Sequence, residues 1–286
     1  MASLKDIKRR IKSVKNTRQI TKAMKMVSAA KLKKAQDEIV AARPYAEKML
    51  ELIASLASKA SSDSHPLLEN RGGNRVGLLI FTSDRGLCGS FNSQILRNAE
   101  RFLRERGAVE ASVYVVGKRG GEYFKRRGLK IINSKNMGSG RPQYGSAVEI
   151  ANDIIGAYMR GELDEVQIIF SEFKSALTQR PVVQKLLPIT APEKDEKAAE
   201  EGDYLYEPAE GAVLAALLPK YVEVQAFRAL LETSASEHGA RMTSMDSATK
   251  NAGQMISGLT LVYNRLRQAA ITKELMEIIG GAEALK

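Results

Sequence analysis

The residues best suited to chemistry stand in one turn, Thr82–Ser90, which follows an apolar run. A nucleotide-binding loop would place glycines just before a helix, where backbone N–H groups can hold a phosphate. Neither G-x-x-x-x-G-K-[ST] nor G-x-G-x-x-G occurs, and Gly117-Lys118 has no glycine five residues before it. We therefore interpret the segment as a tight strand-to-helix turn, with a nucleotide site as the weaker reading.

The remaining candidates for catalysis lack partners. Cys88 would need a neighbouring base to act as a nucleophile, and the sequence supplies none. With only His65 and His238 beside this one cysteine, a zinc site of ordinary type is excluded. Three acids show no paired spacing: Asp84, Glu122 and Glu172. The sequence thus predicts no catalytic, metal or cofactor site, and a single cysteine fits a reducing compartment.

The net charge of +11 lies at one end of the chain. Residues 1–34 contain twelve basic side chains and one acid, whereas the other 252 residues are balanced. Such a segment is either a solvated helix face or a surface for nucleic acid, anionic lipid or an acidic protein. The start of the chain lacks the apolar core of a secretory signal, and no apolar run reaches the ~20 residues of a membrane span.

The basic segment belongs to a long helical pattern over residues 4–56. Steps of three and four from Leu4 meet apolar residues at twelve of sixteen positions, and the four failures are consecutive, from Arg18 to Ser28. In that stretch the apolar residues lie next to the positions reached by these steps and not on them: Ile20, Met24 and Val27. We interpret this as a local break in coiled-coil register, where the helix turns another face to another partner.

A second helical pattern covers residues 211–279. Steps of three and four from Leu217 find thirteen of sixteen apolar positions, counting alanine and tyrosine. A stripe with a period of 3.5 residues predicts left-handed supercoiling against a partner helix. The two helices would be roughly 80 and 100 Å long. Each is the other's nearest partner, so an antiparallel pair is the simplest arrangement, with homodimerisation as an alternative.

The middle of the chain has a different pattern. Three apolar runs are typical of strands buried on both faces: 76–82, 113–116 and 166–170. Helical stretches lie between them, and each ends with a cation followed by a glycine: Gly107, Gly128 and Gly161. Alternating strands and helices predict an α/β layer with a mainly parallel sheet, and Pro188 puts the last strand at an edge.

The predicted fold class is therefore α/β plus a long antiparallel two-helix coiled coil formed by the N- and C-terminal helices. We divide the chain into five segments: a coiled-coil helix (1–57), a linker (58–75), a Rossmann-like α/β domain (76–191), a mobile acidic loop (192–210) and a second coiled-coil helix (211–286).

The end of the second helix is apolar. It starts polar around Arg265 and becomes nearly uncharged, with four large apolar residues: Leu275, Met276, Ile278 and Ile279. An exposed tip of this kind would aggregate, so we expect it to sit in an apolar socket of a partner.

Three motifs resemble the gamma subunit of rotary proton-driven ATP synthases. The C-terminal one is Ile271-Thr272-x-Glu274-x-x-Glu277-x-x-x-Gly281-Ala282-x-Ala284. The N-terminal one is Ile7-x-x-x-Ile11-x-x-Val14-x-Asn16-Thr17-x-x-Ile20-Thr21-Lys22-Ala23-Met24-x-Met26-Val27. The third is Ser83-Asp84-x-Gly86-Leu87-Cys88-Gly89 after the first strand. Together they spread over almost the whole chain.

The resemblance implies a non-catalytic central shaft without a cofactor. Its partners would be the alpha and beta subunits of a hexamer, the epsilon subunit and the membrane c-ring, with membrane association through that ring alone. The location would be the cytoplasmic face of the plasma membrane. The shaft would couple rotation of the c-ring to conformational changes at the catalytic sites of the hexamer.

The resemblance also implies partner-binding residues. Arg267 and Gln268 would contact a loop of a beta subunit, with Thr272 and Glu274 about one turn beyond. Met24 and Lys25 would lie at the register break, at a similar level on the other helix. The apolar tip, with Leu275, Ile278 and Ile279, would act as a bearing, because non-directional packing permits rotation.

Two rival functions remain open on the residues alone. A basic coiled-coil protein that binds nucleic acid would explain the charged helix but leaves the apolar tip unexplained. A nucleotide-using enzyme built on the α/β domain would need a phosphate loop, which the sequence lacks.

Overall fold

In the computed structural model, the described residues are 3–59, 65–107, 109–138, 140–190 and 210–283. Two helices dominate: α1 (Leu4–Lys59) has 56 residues and α5 (Glu210–Glu283) has 74. The chain forms two compact units. The two-helix unit combines the described residues of Met1–Ser28 and Met242–Lys286, and the sheet unit is Ala29–Arg241, so both helices contribute to both units.

The sheet unit contains five strands in the order β3-β2-β1-β4-β5. Their bounds are Arg75–Phe81 (β1), Glu110–Val116 (β2), Lys130–Lys135 (β3), Glu165–Phe173 (β4) and Gln179–Leu187 (β5). The first four are parallel neighbours, and β5 runs antiparallel to β4 at the edge. This confirms the predicted mainly parallel sheet and its edge strand.

Three helices connect the strands: α2 (Phe91–Arg106), α3 (Lys118–Arg127) and α4 (Tyr144–Met159). Each is followed within two residues by one of the glycines that the sequence marked as stops, and all three glycines have positive φ. At Gly128 the φ angle is 70°, and its N–H bonds back to the Lys125 carbonyl, which closes α3.

Apolar side chains cover both faces of the sheet. On one face, Leu79 and Phe81 of β1 join residues of α4, α1 and α5. On the other, Leu78 and Ile80 join residues of α2 and α3. The alternation along β1 divides its buried side chains between two cores, which confirms that this apolar run is a strand buried on both faces.

The two long helices pack against each other within the sheet unit. Met49 and Ile53 of α1 share a core cluster with Leu214 and Leu218 of α5. Farther along, the Arg43 guanidinium lies 3.5 Å from the Glu232 carboxylate. Residue numbers rise on one helix as they fall on the other, so the helices are antiparallel here.

The two-helix unit shows the same antiparallel pairing. The Lys25 ammonium lies 2.6 Å from the Asp246 carboxylate, and the Thr249 hydroxyl donates to the Thr21 hydroxyl oxygen at 2.8 Å. None of the sixteen positions of the predicted stripe on α5, from Leu217 to Ala270, is exposed. The predicted fold class, an α/β layer plus an antiparallel pair formed by the N- and C-terminal helices, is confirmed.

The predicted register break on α1 is wrong. Thr21 is 8% exposed, Ser28 is 2% exposed and Lys25 is half-buried, so the original stripe stays in the seam from Thr21 to Ser28, and of its four non-apolar positions Arg18 is exposed. The apolar neighbours Ile20 and Val27 are 60% and 57% exposed and point away from the seam. Small polar side chains replace apolar ones without changing the register, because hydroxyl groups can hydrogen-bond across or along the helices.

The predicted acidic loop, 192–210, lies outside the described residues except for Glu210, which begins α5. Within the described ranges, no helix is long and apolar enough to cross a membrane.

Candidate partner-binding surface

The turn after β1 is held together by its own side chains. The Asp84 carboxylate accepts hydrogen bonds from the backbone N–H groups of Lys118 (2.9 Å), Met137 (3.1 Å) and Gly138 (2.9 Å). These bonds tie the turn to two neighbouring connections at one end of the sheet. The aspartate therefore has a structural role, in agreement with the interpretation as a tight turn.

Cys88 is a buried residue of this turn. Its thiol lies 3.9 Å from the Ser83 hydroxyl and 3.3 Å from the Asn92 amide nitrogen. Burial raises the pKa of the thiol, which keeps it protonated and unreactive. No cluster of metal-binding side chains was found in the described part of the chain.

The other titratable candidates have local explanations. Glu122 pairs with Arg119 at 3.3 Å, and Glu172 pairs with Lys174 at 3.0 Å. His238 lies half-buried on α5, and burial lowers its pKa to about 4, with the cationic Arg241 and Lys31 adding to the effect. These positions are separate and do not form a catalytic constellation among the described residues.

The partner-binding residues expected by resemblance lie in two separate places. Lys25 pairs with Asp246, which precedes Arg267 by 21 residues on α5. At 1.5 Å per residue the two levels are about 30 Å apart along the helix. The expectation that Met24 and Lys25 share a level with Arg267 and Gln268 is wrong, because the sequence of each helix gives no direct signal of their mutual register.

At the first place, Lys25 joins a small charged network. Asp246 also pairs with Lys250 at 2.9 Å, and hydrogen bonds from the two lysines lower the pKa of the aspartate. Met24 is half-buried beside them. Asp246 was missed from the sequence. Its one available signal is its spacing of four residues from Lys250, which is common on helices and carries little information.

The second place is the end of α5. Ala270 is the last half-buried position, and residues 271–282 are all exposed; we name them the exposed C-terminal segment. Five large apolar side chains in it are 47–67% exposed: Ile271, Leu275, Met276, Ile278 and Ile279. Large apolar side chains concentrated on one helix end mark an interaction surface.

Four polar residues lie just before this segment or in its first four positions. Arg267, Gln268, Thr272 and Glu274 are all exposed. The Thr272 hydroxyl donates to the Gln268 carbonyl at 3.0 Å. Within the described residues, the charged groups of Arg267 and Glu274 have no ion-pair partner, so both are available to another protein.

The start of α1 carries exposed cations. Arg9 pairs with Asp6 at 3.0 Å, but seven neighbours have no ion pair among the described residues: Lys5, Lys8, Arg10, Lys12, Lys15, Arg18 and Lys22. We call these seven residues the basic surface. Uncompensated charge of one sign favours an acidic partner.

Comparison with known proteins identifies the family. Residues 3–285 match the sequence profile of the family described as ATP synthase. The ATP synthase gamma chain of Geotalea uraniireducens is 54% identical over the full length of both chains. Those of Desulforamulus reducens and Moorella thermoacetica are 52% and 48% identical, again over both full chains.

Solved structures agree in fold. A chain in the Tetrahymena thermophila mitochondrial ATP synthase, in a structure of its central stalk and c-ring, is 28% identical with a TM-score of 0.60. The match covers 80% of this chain and 99% of that one. A chain of the Euglena gracilis mitochondrial ATP synthase, 20% identical, has a TM-score of 0.72 over 99% of this chain and 94% of that one, which shows a shared fold.

These matches decide between the functions that the residues left open. The gamma chain is a non-catalytic subunit and forms the central stalk, or rotor, of the F1Fo ATP synthase. Full-length identity near 50% to several bacterial gamma chains, together with the shared fold, favours the gamma-subunit function over the two rival functions. The chain belongs to the ATP synthase gamma chain family.

Proposed function

We propose that this chain couples rotation of the membrane c-ring to conformational changes at the catalytic sites of the alpha–beta hexamer. The observation that carries the proposal is the exposed C-terminal segment. Its apolar side chains have no cover in the described part of the chain, although the rest of the α5 stripe is buried or half-buried. A partner with an apolar socket would cover them.

The exposed C-terminal segment suits a rotating contact. Leu275, Ile278 and Ile279 would pack against the socket without fixed hydrogen bonds, so no single contact holds one orientation. Arg267 and Gln268, about two turns before Leu275, would supply directional contacts with a loop of one beta subunit, and Thr272 and Glu274, within one turn of Leu275, would add to them. The directional contacts would thus begin before the apolar residues along α5 and continue to their first member, Leu275.

Met24 and Lys25 would contact the hexamer at a different level. Lys25 already pairs with Asp246, and its side chain is 44% exposed, so part of the ammonium can reach a second carboxylate. The charged network at this level would then be shared between the two helices and a partner. The chain would thus contact the hexamer at two levels along α5, instead of the one level expected for Met24, Lys25, Arg267 and Gln268.

The basic surface would add charge to the contact. Its seven cations can approach acidic loops of a surrounding ring, with electrostatic complementarity favouring encounter and orientation. Since all seven are exposed, we expect the attraction to weaken as salt rises.

Coupling follows from differences between contacts. A partner shifts a conformational equilibrium only by its difference in affinity for the two states. A shaft with an apolar end, a charged network and one basic surface presents unlike faces to three beta subunits of equal sequence. Each orientation would therefore favour a different conformation in each subunit.

The sheet unit would provide the contact with the membrane c-ring. We infer that the α/β layer and nearby coiled coil dock on the c-ring, with the epsilon subunit alongside. The chain would lie peripherally at the cytoplasmic face of the plasma membrane, held there through the ring. We retain the five-segment division as part of this proposal, with residues 76–191 as the docking domain.

The test is reconstitution with alpha and beta subunits of a related bacterial synthase. We expect a complex with one copy of this chain per hexamer and ATP hydrolysis that the chain alone lacks. Replacing Leu275, Ile278 and Ile279 together by serine should weaken assembly, whereas serine at the exposed Leu177 of the β4–β5 turn serves as a matched control. Failure to associate at moderate salt, with tight binding to nucleic acid instead, would overturn the proposal.

A further inference from the structure

A cavity of about 720 Å³ lies in the sheet unit, and its lining contains none of the partner-binding residues discussed above. It is bounded by α1, α5, the start of α4 and the end of β4. Its volume falls within the range of roughly 300–1,000 Å³ that is usual for small-molecule sites. We propose that it binds a small amphipathic monoanion, with an apolar or aromatic body and one carboxylate or similar acidic group.

The interior of the cavity is apolar and aromatic. Ile39 of α1, Phe173 of β4 and Leu231 of α5 are buried residues of its lining. Phe227 contributes an aromatic ring and packs edge-to-face against Tyr144, with ring centroids 5.5 Å apart. A flat hydrocarbon body would therefore meet aromatic and aliphatic carbon on several sides.

One wall is fixed to both long helices. The Tyr144 hydroxyl donates to the Glu223 carboxylate of α5 at 2.6 Å. Before it in the chain, Arg141 pairs with Glu38 of α1 at 2.8 Å. Because the connection before α4 is anchored on two sides, the wall is already in place before any ligand enters.

The cations around the cavity decide the charge of the ligand. Arg43 pairs with Glu232, Lys174 with Glu172, and Lys220 with Glu223. The fourth, Arg228, is half-buried and has neither an ion pair nor a hydrogen bond among the described residues. A half-buried guanidinium without a partner can bind one carboxylate in a bidentate manner.

The buried Glu232 limits the ligand to one negative charge. Its side chain is 2% exposed, and its carboxylate accepts the Phe173 N–H at 2.7 Å as well as facing Arg43. Glu172 adds a second carboxylate to the lining. With one cation that has no partner among the described residues and two acids nearby, a dianion would gain one partner and meet repulsion from the other side.

The test uses the full chain and 2-naphthoate, whose fluorescence anisotropy reports binding. We expect saturable binding and a higher Tm in its presence. Arg228→Gln should weaken naphthoate binding about tenfold or more while leaving the neutral analogue 2-naphthamide within about twofold. Arg228→Lys should recover part of the loss.

Two further variants separate the cavity from other surfaces. Ala42→Trp, at a half-buried position of the lining, should abolish binding of both compounds by filling the space. Arg180→Gln makes the same charge change at an exposed arginine outside the cavity and should change nothing. Circular dichroism checks that each variant is folded. Absence of saturable binding, or binding that survives both Arg228→Gln and Ala42→Trp, would overturn the proposal.

Discussion

The sheet unit and the two-helix unit differ in how they are held together. The sheet is covered on both faces, and its β1 side chains enter two separate cores. The two-helix unit has one seam, which includes the buried Thr21 and Ser28, and its C-terminal end is exposed. The first can be stabilised by its own packing, whereas the second leaves surface for other proteins.

The largest expected effect is the loss of a core side chain. Leu79→Ala in the fully buried centre of β1 should lower the free energy of unfolding by about 2–5 kcal/mol, through lost burial and a cavity. Leu275→Ala at the exposed end of α5 should change it little in the isolated chain. Urea unfolding measures both, and equal losses would contradict the contrast between the two units.

A smaller effect on the free energy of unfolding, and one that depends on pH, is expected from His238 of the sheet unit. Its pKa is lowered to about 4, below the unfolded value of about 6.5, because burial disfavours the charged ring. The unfolded state therefore binds more protons, and stability is lost as pH falls from 6.5 towards 4, by at most about 3 kcal/mol.

Replacement of this histidine tests the effect. His238→Gln should flatten the fall in Tm between pH 6.5 and 4, while His65→Gln, at the chain's other histidine, should flatten it less. The measurement is Tm against pH for the three proteins. An unchanged slope in His238→Gln would mean that other groups cause the acid sensitivity.

The next effect on the free energy of unfolding concerns the polar contact between Thr21 of α1 and Thr249 of α5. Thr21→Val removes the hydrogen bond across the helices and should cost less than about 1 kcal/mol, because the Thr249 hydroxyl can still donate to the Met245 carbonyl at 2.7 Å. The double variant Thr21→Val with Thr249→Val should lose less than the sum of the two single losses, because both single variants remove the same bond across the helices. A double-mutant cycle in urea measures the coupling, and strictly additive losses would contradict it.

The smallest effect is expected at Cys88. Because the thiol is buried and its pKa is raised, iodoacetamide should modify it very slowly in the folded chain and readily in urea. Mass spectrometry measures the extent. Rapid modification of the folded chain would show that the turn after β1 opens, and would weaken the contrast between a closed sheet unit and an open two-helix unit.

The sequence predicted the layers of the fold well where the pattern is local. The apolar run of β1, the glycine stops and the α5 stripe each depend on a short repeat that one helix or strand imposes. The predicted register break between Arg18 and Ser28 was wrong because a count of apolar residues cannot recognise threonine and serine as seam residues. Their burial depends on partners on another helix.

The candidate site was predicted in part. The end of α5 was found because its run of apolar residues is visible in the sequence, and the structure leaves it exposed. The separation of Lys25 from Arg267 was missed, since it depends on the register between α1 and α5. The cavity at Arg228 could not be predicted from the sequence either, because its walls come from four distant parts of the chain.

Rotation of this chain inside the hexamer tests the central claim most directly. Arg101→Cys on the exposed face of α2 provides a thiol for attaching a bead, and the buried Cys88 should not compete. With the reconstituted hexamer fixed to a surface, added ATP should turn the bead in one direction, with three pauses per turn for three beta subunits. ATP hydrolysis by assembled complexes without rotation of the bead would contradict the account.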